Sequence, residues 1–154
     1  MNKHLVILLI MLSLAGNSFA QAKKTATARK QPLFESWIKA TNLPYEKIND
    51  STVVIPFKGT VVASYQIFVV KTANLYVMLC NVSGLVPNIG DEKNFKRLLE
   101  LNDELDIVKF SLLKDSGKIF ARIDALDSII TPGTLGKLIG QLADAIDFAA
   151  QEFK

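Results

Sequence analysis

Enzymatic chemistry needs side chains that move protons, attack a substrate or hold a metal, and this chain carries few of them. Its one histidine, His4, falls in a leader segment. Once that leader is removed, neither a Ser-His-Asp nor a Cys-His arrangement can be assembled, and the commonest metal ligand is gone. Cys80 is the single cysteine, which excludes an intramolecular disulfide. In strand alternation it shares a side with Tyr76, Met78 and Val82, the pattern of a buried core thiol. Were that side exposed, Cys80 would be placed to pair with its equivalent in a second copy.

Carboxylates are the remaining route to acid–base work. Asp144 and Asp147 are three apart on a helix and face the same way, but on its polar side, where two solvated groups are expected. Asp124 and Asp127 flank the end of a strand and border a turn. Arg122 and Asp124 are two apart, project from one sheet face and suit a weak surface ion pair. Gly133-Thr134-Leu135-Gly136-Lys137 is no phosphate loop, because its glycines are too close and no Ser or Thr follows the lysine. The expectation is therefore no catalytic residue, no cofactor and no metal site.

The elements that carry these residues centre on Asp91 to Ile130. Phe95, Leu98, Leu99, Asn102 and Leu105 recur at three- and four-residue spacing and mark one helix face, with Asp91 as its cap. From Asp106 the period becomes two, with Val108, Phe110 and Leu112 on one side. Lys114-Asp115-Ser116-Gly117 is turn chemistry, Gly117 supplying a positive φ. The returning strand places Ile119, Ala121, Ile123 and Ala125 against Phe120, Arg122 and Asp124. Upstream, Leu33, Phe34, Trp37, Ile38 and Thr41 form one face of a short helix that Asn42-Leu43-Pro44 stops. Tyr45 to Ile48 fits either a loop or an edge strand. Thr52 to Phe57 reads as a strand whose Pro56 puts it at an edge or bulge, and Ser64–Lys71 and Leu75–Val82 add two more. Thr131-Pro132-Gly133 opens a last helix with Leu135, Leu138, Ile139, Leu142, Ile146 and Ala149 as its apolar face.

The resulting order, α-β-β-β-α-β-β-α, predicts an α+β fold, an antiparallel β-sheet with helices packed on one face. The run LLELNDELDIVKFSLLKDSGKIFARIDALDSIITPGTLGKLIGQLADAIDFAAQEF, with VVIPFKG before it, resembles the YbjN-like family of bacterial sensory transduction regulators. Leu101-Asn102, Lys109-Phe110, Gly117, Arg122 and Thr131 are the specific points of a likeness spanning residues 33–153. The resemblance implies a type III secretion chaperone-like fold and brings no catalytic residues.

Residues 1–20 have the features of a secretory signal peptide: a short basic head at Lys3 and His4, an apolar run from Leu5 to Leu14, and small residues at Ser18 and Ala20 before the cut. The run is well short of the ~20 residues that span a bilayer. Export by a cleaved signal, to the periplasm or the extracellular space of a bacterium, is the expectation; the secretion chaperones, by contrast, work in the cytosol. Residues 21–32 have almost no large apolar side chain and read as a flexible basic tail, leaving residues 33–154 as a single domain. Of 18 basic side chains, Lys3 lies in the leader and four lie in the tail, so the domain carries 13 against 15 acidic ones, a net −2. That balance argues against a nucleic-acid module, and the tail is a soluble spacer in preference to a membrane contact.

One feature favours binding. In Tyr65–Val70 and Leu75–Cys80 both alternating sets are apolar, so a sheet covered on one face exposes hydrophobic side chains on the other. Phe68, Val70, Val77 and Leu79, or the alternate set, would then form a homodimer interface or a groove for an extended peptide. The function expected is that of an exported, non-catalytic protein-binding or regulatory module. Its alternatives are a periplasmic chaperone-like holder of a client polypeptide and a carboxylate-dependent hydrolase.

Overall fold

The computed structural model describes residues 34–154, within the unit that begins at Pro32. The leader and the basic tail expected at residues 1–32 lie outside the described residues.

Helix α1 (Phe34–Lys39) ends where expected. Asn42 adopts a left-handed φ of 59°, Thr41 Oγ1 donates to the Ile38 carbonyl at 2.7 Å, and Leu43 is held out of the helical region by Pro44. The segment after it is a strand. β1 (Glu46–Asn49) pairs antiparallel with β2 (Thr52–Phe57), so four strands and not three precede the central helix. All four residues of β1 are exposed, which is why no apolar alternation marks it. Pairing with β1 reaches Val54 and stops, leaving Pro56 on a stretch of β2 that is itself the outer strand. A residue without an N–H is tolerated there.

β3 (Tyr65–Lys71) and β4 (Leu75–Asn81) complete the meander. A 3-10 turn at Glu92–Asn94 leads into α2 (Phe95–Glu104), followed by β5 (Lys109–Leu113), β6 (Lys118–Leu126) and α3 (Pro132–Glu152). The sheet runs β1-β2-β3-β4-β6-β5 with every neighbour antiparallel. Gly117 takes φ 63° in the β5–β6 turn, and the Leu113 carbonyl accepts from the N–H groups of Ser116 and Gly117. Thr131 Oγ1 accepts from the Thr134 N–H at 3.1 Å to cap α3, with Pro132 in its first turn.

One side of the sheet makes the core. Val53, Ile55, Ile67, Val69, Tyr76, Met78, Cys80, Ile119, Ala121 and Ile123 pack with Ile38 of α1, Leu98 and Leu101 of α2, and Leu135, Ile139, Leu142 and Ile146 of α3. Phe34 and Trp37 meet Tyr76 with ring centroids 5.9 and 6.0 Å apart. The α2 stripe differs from expectation. Leu101 is buried in place of Leu99, which is 69 % exposed, and Phe95 sits at the rim. The helix lies over β5, the last strand, so the outer half of its stripe has no sheet beneath it. Asp91 makes no side-chain cap bond; it pairs with Lys93 at 3.8 Å instead.

These positions predict a clear contrast. Leu142→Ala, emptying a site with no exposure, is expected to cost about 3 kcal/mol. Leu99→Ala is expected to stay within about 0.5 kcal/mol of the parent. Urea unfolding of both variants measures the difference.

Candidate interaction face

Because side chains alternate along a strand, burying Ile67, Val69, Met78 and Cys80 commits Phe68, Val70, Val77 and Leu79 to the opposite face. Phe68 lies opposite Leu79 and Val70 opposite Val77 across the β3–β4 pair. Val54 adds to the Phe68 row from β2. The four residues proposed from sequence are thus brought together, and the alternate set belongs to the core. None of the four, nor Val54, belongs to the core cluster. Val54 and Val77 are nevertheless buried, while Phe68, Val70 and Leu79 are half-buried.

On β6 the strip is bounded by charge. Arg122 lies opposite Leu79 and Asp124 opposite Val77, and Arg122 Nε donates to both Asp124 carboxylate oxygens at 2.9 and 3.0 Å. Both are nearly half exposed, so the pair is worth under ~1 kcal/mol. Beyond it the apolar surface resumes. Leu79, Phe120, Leu112 and Leu113 line a cleft of about 330 Å³ with Ser111 and Arg122. The β5–β6 part of this surface was not anticipated. Phe120 and Leu113 each read as one apolar residue in a polar alternation, and only the strand order sets them beside Leu79.

Asp147 and Asp127 are occupied elsewhere. Asp147, expected in solvent beside Asp144, grips the β2–β3 loop: its oxygens accept from the N–H and hydroxyl of Thr60 and from the Val62 N–H. Burial pushes its pKa up, but the hydrogen bonds from Val62 and Thr60 outweigh that and hold the carboxyl below its usual range. Gly59 is required here, since a Cβ would strike the Asp147 carboxylate and lie 2.8 Å from the Val62 carbonyl. Asp127 pairs with Lys71 at 3.2 Å, and that ammonium also stands 5.2 Å from the Tyr76 ring centroid. Asp144 lines a different cleft with Glu104, Asp106, Ile107 and Phe148. Cys80 is buried and its thiol is pushed up to about 12 by that burial, the state of a core residue. Among the described residues no His, Cys, Asp or Glu cluster of metal-binding size occurs, and no helix is long and apolar enough to cross a membrane.

The six-stranded antiparallel sheet with α1, α2 and α3 packed into its core is an α+β fold with a likeness among solved structures. The chain is similar in fold to the chaperone SpcU in the heterodimeric complex ExoU-SpcU from the type III secretion system of Pseudomonas aeruginosa. The TM-score is 0.56 at 17% sequence identity, over 79% of this chain and 98% of that one. No protein-family model and no curated protein matches the chain.

The Asp147 anchor predicts a pH dependence. Its folded pKa lies below the unfolded value, so the stability it contributes is present above the unfolded pKa of about 3.9 and is lost as pH falls through the folded one. Asp147→Asn is expected to cost about 1–2 kcal/mol at pH 7. The gap between variant and parent should narrow below pH ~4 in denaturant titrations run across pH.

Proposed function

We propose that the chain is a non-catalytic module that binds a partner polypeptide on the open sheet face of Phe68, Val70, Val77 and Leu79. The observation that carries this reading is the contiguous apolar strip on the side of the sheet away from the core. The fold supports it, since SpcU is found in a heterodimer with ExoU. The occupation of Asp124, Asp127 and Asp147 by structural partners weighs against a carboxylate-dependent hydrolase. Membership of the YbjN-like family accords with the sequence pattern from Leu98 to Phe153 and with this fold.

The leader adds a place of work. We read the protein as exported by cleavage after Ala20, so its partner is another exported polypeptide or a second copy of the chain. A homodimer would use the same face, because two copies of a twisted apolar strip cover one another without exposing either. A chaperone-like holder of an unfolded client would use it transiently.

Two measurements test the proposal. Edman sequencing of the protein recovered from a bacterial periplasmic fraction is expected to begin at Gln21; a start at Met1 would remove the export step. Phe68→Glu and Leu79→Glu are expected to leave circular dichroism unchanged and to abolish association seen by light scattering or partner capture. Loss of the folded spectrum in both variants would reassign the face to packing.

A further inference from the structure

The β5 edge is closed by a side chain. In an antiparallel strand the N–H and C=O of one residue point to the same side, and successive residues alternate sides. Phe110 directs both groups outward, away from β6, and Asn102 of α2 meets them. Its Nδ2 donates to the Phe110 carbonyl at 2.9 Å and its Oδ1 accepts from the Phe110 N–H at 2.6 Å. This is the hydrogen-bond pattern a neighbouring strand would make. Lys109 reinforces the closure by donating to the carbonyls of Asn102 and Leu105 at the end of α2.

The next outward residue is Leu112. Its partner across β6, Ile119, turns its own groups away: the Ile119 N–H donates to Ser83 Oγ at 2.7 Å and its carbonyl accepts from Val82 N–H at 2.9 Å. The main-chain groups of Leu112 therefore face out along the edge. Around them stand exposed apolar side chains, Leu112 at 54 %, Leu113 at 52 % and Leu99 at 69 %. An apolar edge of this kind invites a second strand.

We propose that Asn102 is the residue that excludes strand addition at β5, holding the pairing potential of this edge to Leu112 alone. The strand it excludes is β5 of a second copy. Antiparallel pairing about a two-fold axis at Leu112 would set the two Leu112 residues opposite one another and Leu113 opposite Ser111 of the other copy, covering the exposed Leu112 and Leu113 side chains of both. With Asn102 in place the ladder stops at Leu112, because Phe110 is already bonded in both copies. The backbone edge of β5 is distinct from the strip of Phe68, Val70, Val77 and Leu79 on β3 and β4, although Leu112 and Leu113 also line the cleft beside Leu79.

Asn102→Ala is expected to add an association step absent from the parent, read as a concentration-dependent rise in mass by light scattering. Asn102→Ala with Leu112→Pro is expected to abolish that step, since proline removes the outward N–H and leaves Phe68, Val70, Val77 and Leu79 unchanged. Association unchanged from the parent in folded Asn102→Ala, or persisting in the double variant, would overturn the proposal. Hydrogen exchange on the parent protein gives an answer even if the variant fails to fold. The Phe110 amide is expected to exchange at least roughly tenfold more slowly than the Leu112 amide; equal protection of the two would refute the closed edge.

Discussion

The packing of α3 against one side of the sheet is the constraint from which the rest follows. Leu135, Ile139, Leu142 and Ile146 lie at three- and four-residue spacing with no exposure, and they demand an apolar surface of matching length. The sheet supplies it with every second residue of β2, β3, β4 and β6. Once that parity is set, the other half of each strand has no freedom. Phe68 and Leu79 face away from the core because Ile67, Met78 and Cys80 face into it. Slipping one strand by a residue would exchange the two populations and expose the core set. The candidate interaction face is thus a consequence of core packing, and it is positioned as rigidly as the core.

Polar side chains serve to fasten the connections between elements. Asp147 reaches from α3 to the β2–β3 loop, where three donors converge on it. Lys71 and Asp127 join the β3–β4 hairpin to the turn after β6, at sites only 17 and 13 % exposed. Arg97 of α2 pairs with Glu104 on its own helix and with Glu152 near the end of α3. Charged groups used in this way are held in fixed partnerships, and a carboxylate already accepting several hydrogen bonds makes a poor general base. In Asp147, Asp127 and Arg97 the polar chemistry is spent on geometry.

Both ends of the sheet are managed, by different means. β1 is short, exposed and charged, with Lys47 bridging Glu35 and Asp50, and Pro56 follows where β1 no longer covers β2. β5 is apolar, and its outward backbone is occupied at Phe110 by the Asn102 amide. An amide on the apolar stripe of α2 would be a packing fault in isolation. Its position is accounted for by the strand edge it meets, where an aliphatic side chain would leave Phe110 without a partner.

Local chemistry made much of the fold legible: the Gly117 turn, the Thr131-Pro132 start of α3, the stop at Pro44 and the alternation in β3, β4 and β6 all act within a few residues. The same local rules determined that Phe68, Val70, Val77 and Leu79 would share a side. They left β1, whose residues are all exposed, open between loop and edge strand, and did not say which of two apolar sets would be covered, because both sets look alike to a period-two pattern. They misplaced Asp147 and Leu99 for one reason. A helical wheel reports which way a side chain points, whereas its environment is set by what lies there, a loop 85 residues away in one case and the end of the sheet in the other. Sequence alone determined the elements and their two-sidedness; the tertiary structure decided which side is covered, which carboxylates are engaged and which strands become edges, because those depend on contacts between residues far apart in the chain.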